Sequence, residues 1–449
     1  MMDWRIVCFI VCAFGFSKDL RPSEAYLTAF LTGPWKNLTE TEVNNEIYPW
    51  WTYSYLLWLV PMLLLTDYLR YKPIIILNGI AAVVTWVILL WAQGVPAMRS
   101  MQVTFGLATA CEMGYYSYLF AVVSESHYQK VSSFTRAASL FGRFVGYLCG
   151  QLFVSFDLLD LFQLNIFSFV SVTIGLLISI ILPRAEYSEL FNPRPMESTD
   201  CDSDEEKIHD RPKSFRQFIR FIVGEIKSIY SNRNVLIWSI WWAFASCGSF
   251  QIANYAQNLW YVLTPYKNDS KQRHLYNGAV DAAGTFFSTC TVLLIGFIPI
   301  DWSVRGRCEL LMCIVCAINT VMLFVMATTS SIWVCYIMYD LFRASYQIVI
   351  TIATAQIAKH LVKQRYGFVF GCNTFLALLI ETILTLIVVD QSGLGLDVQT
   401  QFKVYGGYFG AMTVGFAATW FWSFLRSGSN SSRPTETLEM RDQKDTENT

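Results

Sequence analysis

Charge is scarce in this sequence: 15% of its 449 residues are Asp, Glu, Lys or Arg, against about 25% in an ordinary soluble protein. The net charge of −1 gives no basic surface for nucleic acid or for anionic lipid headgroups. Histidine is nearly absent. His127, His209, His274 and His360 all fall in polar connections, which argues against a buried metal cluster or a histidine proton relay. Cysteine is plentiful but wrongly placed for a disulfide framework. Cys8, Cys12, Cys111, Cys149, Cys290 and Cys372 sit inside apolar runs, where Cys behaves as a small hydrophobe, and none has zinc-ligand spacing to a His. The chain shows no His, Cys or Ser constellation with nucleophile or metal spacing; the expectation is a protein that is not an enzyme and needs no cofactor. A small-residue cleavage pattern is also missing after the apolar stretch that starts at Trp4, so that stretch reads as a helix rather than a signal peptide.

What the sequence has instead is apolar length: 54% of its residues are hydrophobic and the mean hydropathy is +0.38. A helix crosses the hydrocarbon core with about 20 mostly apolar residues. Such runs lie near 50–66, 73–93, 101–123, 132–156 and 162–183, then near 235–261, 275–297, 309–327, 331–358, 366–390 and 402–425. A first span from Arg5 to about Leu31 is interrupted at Arg21-Pro22. The expectation is an all-α membrane protein of twelve transmembrane helices in two six-helix halves. Its parts are an N-terminal bundle over 1–183, a linker over 184–234, a C-terminal bundle over 235–426 and a disordered tail over 427–449. The Asp202-Ser-Asp204-Glu205-Glu206 run in the linker reads as solvated.

Basic residues orient the spans. Even-numbered connections carry Arg70 and Lys72, Lys130 and Arg136, Lys213, Arg216 and Arg220, Arg305 and Arg307, and Lys359, Lys363 and Arg365. The positive-inside rule then puts both termini and the linker in the cytoplasm. Lys267, Lys271 and Arg273 of the seventh connection run against the rule. Two glycan acceptor motifs, at Asn37 and Asn268, lie in odd-numbered connections on the opposite side.

Ionisable residues inside the spans carry the functional signal. Each costs about 2.5–3.5 kcal/mol or more at the bilayer centre, so it faces a partner, a bundle interior or a wet cavity. Glu24, Glu112, Arg143, Asp281, Arg343 and Glu381 are such residues, drawn from both halves. Helical spacing groups Gln102, Phe105, Thr109, Glu112 and Tyr116 on one face. Arg136, Arg143 and Tyr147 share another, as do Tyr336, Asp340, Arg343 and Gln347, and Thr374, Glu381 and Thr385. For a single residue the plainer reading is a structural pair, Asp340 with Arg343 along one helix or Glu112 with Arg143 between helices. For the whole set, a shared central cavity accounts better for so many buried charges.

Several long segments resemble the folate–thiamine carriers, solute carrier family 19. They are RPSEAYLTAFLTGPWKNLT (21–39), NEIYPWWTYSYL (45–56), LLTDYLRYKP (64–73) and HYQKVSSFTRAA (127–138), then WSIWWAFASCG (238–248), LYNGAVDAA (275–283), VFGCNTF (369–375) and LIVVDQSGLGL (386–396). The resemblance implies the major-facilitator fold and a secondary-active vitamin carrier of the plasma membrane that works by alternating access. It implies that Glu24, Tyr48, Trp51, Thr85, Trp86, Gln102, Phe105 and Glu112 line the path from the first half. From the second half, Asn254, Asp281, Arg343 and Glu381 would do so, with Asp67 and Arg70 forming a gate motif. Tyr48, Trp51 and Glu112 match the thiamine branch, which suits a cationic heterocycle. Gln102 and Phe105 stand where that branch has Glu and Tyr, and Arg143 where it has a cavity-facing Tyr. The folate branch tends to have Arg at 112 and Lys at 381, both absent here. Arg143 with Arg343 could clamp a dicarboxylate through bidentate contacts, which tips the balance to folate with thiamine as the alternative. Proton symport, exchange against an intracellular organic anion and simple facilitation all fit the charges, and a non-transporting receptor or scaffold is the alternative class.

Overall fold

The computed structural model describes residues 4–122, 128–185, 215–263, 276–297, 307–358 and 366–430. The side chain of Asp67, the Asn268 acceptor, the four histidines, the acidic run and the tail beyond 430 lie outside what is described.

The described chain is almost entirely helical. The first span is broken as its proline demands: α1 (Trp4–Asp19) stops, a single tight turn covers Glu24–Tyr26, and α2 (Leu27–Thr32) completes the crossing. Pro22 offers no N–H to the ladder, and inside a bilayer the groups it frees need partners from other helices. They find them on α7 (Leu161–Ile181), where the Ser168 hydroxyl accepts from the Ser23 amide (3.1 Å) and Ser171 donates to the Ser17 carbonyl (3.0 Å). The break also packs on α6 (Tyr128–Ser155) through Gly146 and Gly150. A Cβ there would come within 2.9 Å of the Arg21 nitrogen and 2.6 Å of the Pro22 oxygen, so only glycine lets the backbones meet this closely.

The first half continues with α3 (Pro49–Tyr68), α4 (Lys72–Trp91) and α5 (Val95–Val122). The second contains α9 (Arg233–Leu263), α10 (Asn277–Phe297), α11 (Arg307–Thr328), α12 (Ile332–Ala358), α13 (Tyr366–Val388) and α14 (Val398–Asn430). Six of the described helices are long and apolar enough to cross a membrane by length and composition alone. They lie in the same bundles as the other long helices, consistent with twelve spans when the broken one is counted once. The two halves meet where α3 packs on α13, α6 on α10 and α2 on α9.

The helices are turned inside out relative to a soluble bundle. On α7 the exposed large hydrophobics are Ile166, Phe167, Val170, Ile174, Leu177, Ile180 and Ile181, while Asn165, Ser168, Ser171 and Ser179 are buried. An apolar exterior around small and polar contacts is what lipid as solvent selects.

One element departs from expectation. The second part of the supposed linker forms α8 (Phe215–Tyr230), with Phe215, Phe218, Ile219, Ile222, Ile226 and Ile229 at helical spacing. Its end docks on the C-terminal bundle: Ile229 is buried against Val235, Ile357 and Val369, and Tyr230 donates to the Asn373 side chain at 2.8 Å. Arg216, Arg220, Glu225 and Lys227 interrupt every apolar run in the segment, but amphipathic periodicity decides its structure.

Candidate functional site

A cavity of about 400 Å³ opens where the halves meet. Twelve of the thirteen expected substrate-path residues line it: Glu24, Tyr48, Trp51, Thr85, Trp86, Gln102, Phe105, Glu112, Arg143, Asn254, Asp281 and Arg343. Lys18, Arg21, Gln257, Trp260 and Tyr339 join them without having been expected on the substrate path, as does Tyr147, read from sequence only as sharing a helix face with Arg143. Arg70 lies exposed in the turn between α3 and α4, with a left-handed φ of 59°.

The helix break builds the first wall. Asp19, fully buried, holds three cations: Lys18 Nζ at 3.2 Å, Arg143 Nη2 at 3.3 Å and Arg21 Nη2 at 3.4 Å. Lys18 also reaches Glu112 at 2.5 Å, and Arg21 pairs with Glu24 at 3.2 Å. Glu112 is therefore tied to Lys18 rather than to Arg143. Lys18 and Asp19 stand inside the interrupted first span, so the rule that marks charges within apolar runs could have found them, although they were not among the six charges read there. The Arg21 guanidinium lies over the rings of Trp86 (5.7 Å) and Phe105 (5.6 Å), which meet edge to face. Trp51 donates to Thr109 at 3.3 Å, and Thr85 bonds Thr104 at 2.9 Å.

The second wall centres on Arg343, which bonds the Asp281 carboxylate at 3.1 Å and Thr285 at 3.2 Å and sits 5.6 Å over the Tyr339 ring. Its ion-pair partner comes from α10 and not from Asp340 one turn away on α12. The fourth stripe does not reach the cavity. Glu381 is fully buried behind Asn254, which donates to its Oε1 at 3.1 Å, and Thr52 of α3 donates to the same oxygen at 3.4 Å. Thr385 likewise turns to Gln251 (3.3 Å). Packing of α13 on α3 and α9 leaves this face no open volume.

Hydrogen bonds between the halves close the cavity on one side, here the odd face, formed by the connections 33–41, 92–94, 156–160, 329–331 and 389–397. Thr28, itself bonded to Tyr48 within the first half (2.7 Å), donates across to Asn258 at 2.9 Å, and Asn258 donates back to Asn44 at 2.8 Å. Gln257 donates to the Glu24 carbonyl (2.9 Å), Asn45 to the Val389 carbonyl, and Tyr53 to Asp390 (2.8 Å). Each of these crossings is between neutral groups except the last. Burial alone would raise the Asp390 carboxyl, but donors from the Ser392 side chain and backbone and from Tyr53 outweigh it and hold the group below the usual carboxylate range.

Two helical halves around a charge-lined, one-sided cavity define a membrane carrier of major-facilitator architecture. The nucleoside transporter NupG has the same fold, with a TM-score of 0.61 at 13% identity over 93% of this chain and 99% of that one. The family profile described as Reduced folate carrier matches residues 2–404, and the chain belongs to that family. It is 41% identical to Thiamine transporter 1 of Mus musculus over 96% of this chain and 93% of that protein. It is also 37% identical to Folate transporter 1 of Caenorhabditis elegans, over 98% and 97% of the two chains. The protein is thus a multi-pass vitamin transporter and not an enzyme.

Proposed function

We propose that the chain moves folates across the plasma membrane by alternating access, with both termini cytoplasmic and the odd face outside. The observation that carries the folate reading is the position of Arg21, whose guanidinium already covers the Trp86 and Phe105 rings. A thiazolium would have to displace that cation to stack there, whereas an aromatic ring of an anionic solute can insert beside it. The cavity-facing charges point the same way. Lys18, Arg21, Arg143 and Arg343 are four cations; Glu24, Glu112 and Asp281 are three carboxylates. Arg143 and Arg343, one on each half, are the groups that would hold the substrate carboxylates, and Tyr48, Trp51, Thr85, Gln102 and Asn254 would frame its rings.

Thiamine is the second reading, favoured by Glu24 and Glu112, whose side chains are 29% and 30% exposed to the cavity, and by the identity to a thiamine transporter. Side-by-side uptake of labelled folate and thiamine in cells expressing the chain separates the two. Saturable folate uptake that is lost in Arg143→Tyr supports the proposal; saturable thiamine uptake without folate uptake refutes it.

A further inference from the structure

Glu381 is a carboxyl with no ion pair among the described residues, deep between the two halves. Its Oε1 takes both available donors, Thr52 from α3 and Asn254 from α9. Its Oε2 is buried without a hydrogen-bond partner among the described residues. The titratable groups facing it are Tyr55 on α3, Cys247 and Tyr255 on α9, and Tyr405 on α14, all neutral acids that supply no compensating cation. An ionised carboxylate in such a place carries an uncompensated buried charge. A protonated one needs no counterion and has its proton on the oxygen that lacks a donor. Asp340 also has an orphaned buried oxygen, but it lies one turn from Arg343 on α12, so a cation is at hand.

The placement matters because Thr52 and Glu381 belong to opposite halves. Resting on the carrier reading above, we propose that Glu381 is a proton-binding site that ties proton movement to the parting of α3 from α13. With the halves closed, the carboxylic acid keeps its proton. When they part, the Thr52 bond breaks, water reaches Oε2, and the O–H bond of the acid breaks to leave a hydrated carboxylate and a proton on water. Reclosure takes one proton back. Asn254 touches both Glu381 and the cavity, so a solute that draws on the Asn254 amide also acts on the carboxyl.

Infrared difference spectra of the reconstituted full chain across pH steps test the site without any solute. The expected result is a protonated-carboxyl C=O band that is lost in Glu381→Gln and changes frequency in Thr52→Val, where one of the two donors to Oε1 is gone. In proteoliposomes showing folate or thiamine counterflow, the wild type responds to an imposed pH gradient and Glu381→Gln does not. A wild type without the band overturns the proposal, as does a band that survives Glu381→Gln or counterflow indifferent to the gradient. A band assigned to Glu381 in a protein that moves neither vitamin leaves the proton site standing and refutes the vitamin reading instead. Should Glu381→Gln fail to fold, the Thr52→Val frequency change decides, and an unshifted band counts against the assignment.

Discussion

Replacing Asp19 by Asn removes one negative charge from beneath three cations while keeping side-chain size. Lys18 retains Glu112 at 2.5 Å and Arg21 retains Glu24 at 3.2 Å. Arg143 is left without a carboxylate partner among the described residues. Breaking a buried pair costs about 3–5 kcal/mol; because the Arg143 side chain is 36% exposed, solvent screening brings the expected loss down to about 2–3 kcal/mol. For 449 residues at roughly 2.1 cal/mol/K each, the unfolding entropy is about 0.9 kcal/mol/K, so the midpoint falls by about 2–3 °C. Arg143→Gln alone is milder, about 1 kcal/mol, since Asp19 keeps two cations. The double variant removes both members of the pair and recovers about 1–2 kcal/mol relative to the sum of the singles. The assay is the temperature at which half of the monodisperse protein in detergent is lost, for wild type, both singles and the double. Strict additivity of the two singles would show that Asp19 does not act through Arg143, and the account of the first wall would then be wrong.

Three further outcomes follow from the geometry. Asn258→Ala deletes two bonds between the halves, worth about 2 kcal/mol together, and shifts the closed–open balance of the odd face by about 30-fold; faster amide exchange in α2 and the end of α9 reads this, and unchanged exchange there refutes the seal. The carboxyl of Asp390 sits below its ordinary value of 3.8, so its bond to Tyr53 stabilises the seal fully above that value and is lost as pH falls through the lower folded one. Asp390→Asn therefore leaves the pH profile of uptake between 5 and 8 unchanged, whereas a profile flattened in that window would contradict the assignment. Asn37, exposed in the first connection, is expected to carry a glycan, and Asn37→Gln should raise gel mobility as glycosidase treatment does; an unaltered band in both would place that face inside the cell.

The helical spans were readable because apolar length is a property of the chain alone. The runs near 73–93, 162–183 and 275–297 fall within about two residues of α4, α7 and α10. The wall residues were readable because charge is costly in lipid and so marks interior faces. Pairings were not, because they depend on which helices become neighbours. Glu112 and Arg143 look like natural partners in sequence, yet Lys18 and Asp19, brought in by the helix break, take both. Glu381 illustrates a second limit: helical periodicity says that a face is interior, but only packing says whether that interior is open. Amphipathic α8 was hidden because its charged residues cut every apolar run short while leaving an apolar stripe at helical spacing.

The broken first span has a consequence for how ligand charge is recognised. Because every cavity cation already rests on a carboxylate, an arriving ion gains little new attraction; it trades places with an internal one. Affinity then depends on the difference between two similar pairings, which is small and can take either sign. One substitution in the inner salt lattice, at Lys18 or Glu112 for instance, changes that difference by as much as a whole contact with the solute. A wall of this kind can pass from accepting anions to accepting cations in few mutational steps, without rebuilding the scaffold around it.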